Sequence, residues 1–267
     1  MPRPAGLPDF RKPPLSEVFM GVQFDQPIGY QEIRAGEVWR LFSEAFPKVQ
    51  EMPPLPPYFE TFGPQASMIN LTPITGAIHN RFWFVSSSGD ELIQFQNDRI
   101  LHNWRKVNSP NSEYPRFESI IEKFADEIIK LQSYFSSLHQ QSLVVRQCEI
   151  TYVNHIRYPN LADFSVSNWI NFLHFTAPEP DDFLVTFRRT IKSHDGKPKG
   201  RLTCESATAI EPDGRKFVSL TLTARGIPDE PGAESALEFL KRGRDLIVNA
   251  FADVTTDSAH QFWERLE

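Results

Sequence analysis

The sequence is short of the residues on which several classes of protein depend. Two cysteines, Cys148 and Cys204, are too few for a disulfide scaffold or a cysteine-built zinc site, and they suit a reducing compartment. The 13 glycines form neither a dinucleotide-binding fingerprint nor a phosphate loop, which disfavours the ordinary nucleotide-binding folds. No apolar run approaches about 18 residues, and the first residues lack the apolar centre of a signal peptide. We therefore expect a cytoplasmic protein with no membrane partner.

Motifs that carry chemistry are missing as well. None of the 7 histidines is spaced so that two ligands fall on one face of a helix or strand. There is no Gly-x-Ser-x-Gly elbow, and neither cysteine begins a predicted helix, where its pKa would fall. The sequence thus predicts no metal, no cofactor and no catalytic residue, and it favours a protein that is not an enzyme.

Charge argues against a surface dedicated to polyanions. Lysine and arginine number 28 against 34 acidic residues, for a net charge of -6. The one basic stretch, residues 192–201, is typical of a solvated loop. A phosphate-contacting loop would need Arg188, Arg189 and Arg215 to join it in a patch. Nucleic-acid binding is therefore the least favoured alternative.

Proline marks irregular chain near the start of the sequence. Twelve of the 22 prolines fall within the first 64 residues. Because proline fixes φ and removes a backbone donor, we expect an extended arm over residues 1–14 and a rigid loop over 47–65.

Hydrophobic periodicity predicts two halves with the same order of elements, β-α-β-β-β-α. The first half (15–142) has strands near 16–24, 81–86, 91–96 and 99–106, with helices over 35–46 and 115–138. The second half (143–267) has strands near 148–156, 183–191, 201–210 and 216–224, helices over 167–175 and 234–252, and a terminal helix ending near residue 263. No convincing residue identity joins the halves, so the predicted repeat is one of element order and not of sequence.

These elements indicate an α+β fold in one globular domain. Meandering strands pair antiparallel, and two long helices with one apolar stripe each can cover only one face of a sheet. We expect one curved antiparallel sheet of about eight strands with both long helices on the same face. This order resembles the duplicated TATA-box-binding-like fold and, more loosely, the helix-grip fold. The uncovered face is left as a cup, a groove or a partner surface.

The most polar strand region lies within residues 94–106. Its amide, indole and imidazole groups could line a pocket on the open face, or they could belong to a solvated hairpin tip and to structural histidines. The candidate ligand-binding residues are Gln94, His102, Asn103, Trp104, His155 and Arg188.

Six separated segments of the sequence form a recognisable set: residues 13–18, 81–86, 94–99 with 103–105, 114–118, 148–156 and 255–263. In these segments the chain resembles a sporadically distributed, functionally uncharacterised bacterial protein family of about this length. The resemblance implies no activity or site residue, and a patchy distribution fits accessory genes, including defence and toxin-antitoxin loci.

Three functions stay open at this level. We favour a non-catalytic interaction protein that binds a protein partner, or a second copy of itself, through its curved sheet. The first alternative is a small-ligand-binding protein or enzyme that uses the open face, and the second is a nucleic-acid-binding protein.

Overall fold

A computed structural model describes residues 4–62, 79–107, 113–139, 142–157, 165–175 and 180–266. Residues 1–3 of the predicted arm and 63–65 of the predicted loop lie outside these ranges. Within the described ranges, nine strands form one sheet. They are β1 (Leu15–Phe24), β2 (Lys48–Met52), β3 (Arg81–Val85), β4 (Glu91–Gln96), β5 (Arg99–Arg105), β6 (Val145–Ile156), β7 (Leu184–Lys192), β8 (Pro198–Ile210) and β9 (Lys216–Gly226). The helices are α1 (Ala35–Arg40), α2 (Phe117–His139), α3 (Ala233–Val254) and α4 (Asp257–Phe262).

The sheet confirms the predicted antiparallel layer. Its order is β2-β3-β4-β5-β1-β6-β9-β8-β7, and every neighbouring pair is antiparallel. The first strand of each half lies beside the last strand of that half, and β1 pairs with β6 at the centre. The two halves are therefore joined into a single open sheet.

Both long helices cover the same face, as the single apolar stripe of each predicts. Helix α2 lies over β5, α3 lies over β6, β8 and β9, and the two helices contact each other. The buried stripe of α2 includes Ile120, Phe124, Ile128 and Leu131, none of them exposed to solvent. In α3, a side chain at Gly243 would come within 2.7 Å of a methyl carbon of Ile150. Glycine therefore lets α3 approach β6 closely.

Three local predictions need correction. The ninth strand, β2, lies inside the predicted loop 47–65, because residues 48–52 contain no proline and pair with β3 at the sheet edge. The predicted helix 35–46 ends at Arg40. Beyond it the chain forms turns in which most backbone N–H groups donate to the carbonyl three residues earlier. The predicted helix 167–175 is only a short 3-10 turn at Val166–Asn168, since the backbone that follows it hydrogen-bonds to Val254 and Thr256 just where α3 ends.

The arm near the chain start is tied to the chain end. Phe10 forms a β-bridge with Arg265, and the amide of Lys12 donates to the carbonyl of Trp263. The ring of Phe10 packs edge-on against Phe251 of α3 at 5.4 Å. The arm therefore closes one end of the core.

Candidate functional site: the groove on the open sheet face

Alternation along the central strands separates two chemically different faces. In β1, Val18, Met20 and Val22 point to the helices and are buried, whereas Glu17 and Gln23 point to the other face. That face holds a groove of about 590 Å³ that runs across strands of both halves. The groove is lined mainly by charged side chains, amides and threonines, which is the chemistry of a recognition surface rather than of a core.

One border of the groove is the proline-rich segment 53–62, here called the strap. It crosses the open face of the sheet and is held by side chains of four strands. The amide of Gln96 in β4 donates to the Leu55 carbonyl (3.1 Å) and accepts from the Leu55 N–H (2.9 Å). Gln23 in β1 holds the N–H and carbonyl of Tyr58 in the same way, at 3.2 and 2.9 Å. Two glutamines therefore hydrogen-bond to the backbone of the strap.

The far end of the strap is held by charge. The Glu60 carboxylate lies 3.5 Å from Arg225 in β9 and 3.4 Å from Arg201 in β8. Arg201 also donates to the Thr61 carbonyl at 2.7 Å, and the Arg225 guanidinium lies 4.2 Å from the Tyr58 ring centroid. Burial raises the pKa of Glu60, and the attraction of the arginines offsets only part of that rise.

A directional hydrogen-bond chain crosses the half of the groove built from β3, β4, β5 and β1. Arg81 donates to the Gln94 carbonyl oxygen (2.6 Å), the Gln94 amide donates to Asn103 (2.8 Å), and the Asn103 amide donates to Glu17 (2.7 Å). Trp83 adds a second donor to Gln94 at 3.1 Å. Burial and the nearby Arg99 lower the pKa of Arg81. The chain fixes both amides and presents the Glu17 carboxylate to the groove.

In the other half, hydroxyls and an ion pair form the floor. The hydroxyls of Thr151 in β6 and Thr223 in β9 lie 2.8 Å apart. The carboxylate of Glu149 accepts a hydrogen bond from Arg225. Burial lowers the pKa of Arg225, but the negative charges of Glu149 and Glu60 raise that pKa by more. Arg225 is therefore held as a cation between two carboxylates.

Some groups of the lining have hydrogen-bonding capacity that the described residues do not use, among them the Nε of Arg81. Gln147 in β6 lies opposite Gln23 and is 1% exposed, yet neither its amide nitrogen nor its amide oxygen bonds to a group in those ranges. Arg188 in β7 is exposed and has no hydrogen bond or ion pair there. An unbonded buried amide is costly, so the amide of Gln147 should lower the stability of the fold.

The structure divides the six candidate residues between the two faces. Gln94, Asn103 and Arg188 line the groove. His155 lies on the same face but packs on the Phe217 ring at 4.7 Å, beyond the groove lining. The remaining two, His102 and Trp104, are buried on the helix face, because alternate residues of β5 point to opposite sides.

His102 joins β5 to α2 through a buried contact. Its Nδ1 lies 2.8 Å from the carboxylate of Glu127, and its Nε2 lies 3.8 Å from Glu91. Burial lowers the pKa of His102, but the attraction and hydrogen bond of Glu127 and the charge of Glu91 outweigh burial and raise it. The contact therefore holds helix to sheet and takes no part in the groove.

Sequence reasoning missed Gln23, Gln147 and the strap. In β6, polar residues at 147, 149 and 151 alternate with apolar ones, but in β1 Phe19 and Gly21 stand between Glu17 and Gln23. Only the pairing of these strands puts the two glutamines side by side. The strap was predicted as a connection, and nothing in a run of prolines tells which face of the sheet it crosses.

Within the described ranges no three histidine, cysteine, aspartate or glutamate side chains gather as a metal site. No helix there combines the length and the apolar composition that a membrane crossing needs. Comparison with known protein families, with curated proteins and with solved structures finds no match for this chain. The resemblance to a bacterial family therefore stays a prediction, and function has to be argued from the groove.

Proposed function

We propose that this protein is a non-catalytic binding protein that recognises a partner protein through the groove on its open sheet face. The observation that carries the proposal is the polar lining of that groove, to which strands of both halves contribute charged side chains and amides. Glu17 and Arg188 add a carboxylate and a guanidinium that face the same space. Groups of this kind give an interface orientation and specificity.

A cytoplasmic location belongs to the same proposal. Cys148 and Cys204 are both free and buried, and burial raises the pKa of both thiols, that of Cys204 to about 12. Thiols that stay protonated and buried within strands are unreactive. Free cysteines that form no disulfide suit a reducing compartment.

Small-ligand binding is the second candidate. Its support is the groove volume of about 590 Å³, which falls within the roughly 300–1,000 Å³ of ordinary ligand sites. Nucleic acid has less support, because three glutamates (Glu17, Glu149 and Glu205) interrupt the positive charge that four arginines bring to the groove lining.

Site-specific photo-crosslinking in cells of the source organism tests the proposal. A photoreactive benzoylphenylalanine replaces Glu205, which is exposed at the groove, or Lys130, which is exposed on α2 as the matched control. We expect a discrete protein adduct from position 205 and none from position 130. The change Arg188→Glu should reduce the adduct about tenfold or more, because it reverses a charge at the interface.

Adducts of equal yield at the two positions, or none at position 205, would reject the groove as a protein-binding surface. A small molecule that stays bound in native mass spectrometry and is lost in the Arg188→Glu variant would favour the second candidate instead.

A further inference from the structure

We propose that the free edge of β7 binds an extended, acidic segment of a partner protein, which pairs with β7 as an additional strand of the sheet. The strand order ends at β7, which has β8 as its neighbour on one side. This inference rests on the proposed function in taking the partner to be a protein. It assigns that partner a second surface, at the edge of the sheet rather than on its open face.

The hydrogen-bond pattern shows which backbone groups of β7 can pair with an added strand. The N–H of Thr208 in β8 donates to the carbonyl of Phe183, directly before β7. Because alternate residues of an antiparallel strand bond to the same neighbour, the odd-numbered residues of β7 bond to β8. The N–H and carbonyl groups of Thr186, Arg188 and Thr190 therefore point away from β8. All three residues are exposed, and no described group covers this row.

The β7 edge is longer than the opposite edge of the sheet. Strand β7 spans nine residues, whereas β2 spans five and lies between Pro47 and Pro53. Proline has no N–H to offer an added strand, so the two prolines confine pairing at the β2 edge. At β7, Arg242 of α3 caps the last carbonyl, that of Lys192, at 2.8 Å. The residues before Lys192 are left as a template for another chain.

Positive charge on both faces of β7 selects the chemistry of the added strand. Arg188 lines the groove on the open face and has no ion pair in the described ranges. Arg189 points to the helix face, where its ion pair with Asp253 spans 3.9 Å and both side chains are more than half exposed. Neighbouring residues of a strand point to opposite faces, so two adjacent acidic residues would meet the two arginines. Opposite charges on paired strands stabilise the pairing.

A second copy of this chain is a poor occupant of the edge. Antiparallel pairing of β7 with itself over its full length is centred on Arg188, the fifth of its nine residues. The two Arg188 side chains would then lie directly opposite each other, and like charges in that position are destabilising. The charges that favour an acidic strand therefore also disfavour self-association.

A cavity beside the edge would accept a side chain of the added strand. About 300 Å³ lies between β7 and α3 on the helix face, with Ile191, Leu202 and Leu246 in its lining as well as Arg189. An added strand lies about 4.8 Å from β7, so its helix-facing residues project beside this cavity. An apolar residue two positions from the acidic residue opposite Arg189 would lie opposite Ile191. Its burial there would add affinity.

Binding of two synthetic peptides to the intact protein tests the inference. Both have nine residues of alternating valine and threonine, with two adjacent glutamates at the centre of the first and two adjacent lysines at the centre of the second. Fluorescence anisotropy at low salt measures their affinities. We expect the glutamate peptide to bind at least about tenfold more tightly than the lysine peptide, because only its charges complement Arg188 and Arg189.

Proline substitutions separate backbone pairing at this edge from simple attraction of charge. Thr190→Pro removes an N–H that points away from β8, so the fold should persist and the glutamate peptide should bind about tenfold more weakly. Val49→Pro is the matched control, because by the same alternation the N–H of Val49 points away from β3 at the other edge. Its affinity for the peptide should equal that of the wild type, and melting curves check that both variants fold.

Arg189→Glu tests the charge without changing the backbone. This residue lies on the helix face, outside the groove lining, so the change should leave groove recognition intact. The preference for the glutamate peptide over the lysine peptide should fall about tenfold, because a carboxylate replaces one of the two cations.

Equal binding of the two peptides, or equal binding of the glutamate peptide to Thr190→Pro and the wild type, would overturn the inference. A dimer in analytical ultracentrifugation that Thr190→Pro dissociates would also overturn it, because a second copy would then occupy the edge. If photo-crosslinking at position 205 captures a partner protein in those cases, groove recognition stands without the edge. If position 205 gives no adduct while the glutamate peptide binds as expected, the edge is a binding surface and the groove proposal alone fails.

Discussion

Replacing Gln147 by leucine should make the protein more stable, although the change lies in the middle of the sheet. The side chain is 1% exposed, and its amide nitrogen and oxygen bond to no group in the described residues. Folding therefore removes both atoms from water without replacing their hydrogen bonds. Leucine has a similar volume and gives up no hydrogen bond on burial, so it avoids this cost.

The expected gain follows from the cost of an unbonded buried amide, about 1–3 kcal/mol in proteins. For a chain of this length, 1 kcal/mol corresponds to a change in melting temperature of about 2 °C. Gln147→Leu should therefore melt about 2–6 °C above the wild type.

Gln23→Leu is the matched control, because Gln23 pairs with Gln147 across β1 and β6. Gln23 makes two hydrogen bonds to Tyr58, so the same substitution removes them and leaves the N–H and carbonyl of Tyr58 without their partner. At about 0.5–1.5 kcal/mol for each bond, this variant should lose about 1–3 kcal/mol.

Urea denaturation and differential scanning calorimetry of the three proteins measure the difference. The two variants should move to opposite sides of the wild type, with an unchanged dependence of the unfolding free energy on urea. If Gln147→Leu is destabilised as much as Gln23→Leu, the amide of Gln147 is satisfied in the free protein. The reasoning that folding leaves this amide without hydrogen bonds would then be refuted.

Three further predictions concern the frame around the groove. His102→Gln should cost about 3–5 kcal/mol, since it leaves the Glu127 carboxylate buried without its cation. Because the pKa of His102 is raised above the ordinary 6.5, this contribution is complete below that value and declines as pH rises through the folded-state pKa. Denaturation at about pH 5.5 and about pH 9 should therefore show a larger deficit for the variant at the lower pH. Gly243→Ala should lower the free energy of unfolding by about 1–3 kcal/mol, because the added carbon would lie 2.7 Å from a methyl carbon of Ile150. Calorimetry measures this loss of stability. Glu60→Gln should weaken both ion pairs of the strap and speed its hydrogen exchange about tenfold, as read by mass spectrometry of strap peptides.

Each of these has an outcome that would contradict it. A His102→Gln deficit that stays constant with pH would show that the imidazole carries no charge in the folded protein. Unchanged stability of Gly243→Ala would mean that α3 can shift on the sheet. For the strap, Glu51→Gln on exposed β2 is the control. Equal hydrogen exchange of the strap in both glutamate variants would mean that contacts other than the ion pairs of Glu60 hold the strap on the sheet.

The sequence by itself determined the α+β class, the antiparallel sheet and the common face of the two long helices. These follow from local periodicity: the apolar stripes of α2 and α3 each have one side to bury, and closely spaced strands joined by tight turns pair antiparallel. The prediction of a helix over 167–175 was wrong because the backbone there hydrogen-bonds to residues at the end of α3. A local sequence pattern does not reveal such a long-range contact.

The groove was decided by tertiary structure. The two-residue alternation of a strand predicts that His102 and Asn103 in β5 face opposite sides of the sheet. It does not predict which of the two sides the helices cover. Only strand order and register put Gln147 beside Gln23. Hydrogen bonds between residues dozens of positions apart carry the strap across the sheet, and such long-range contacts depend on the whole fold rather than on any segment of the chain.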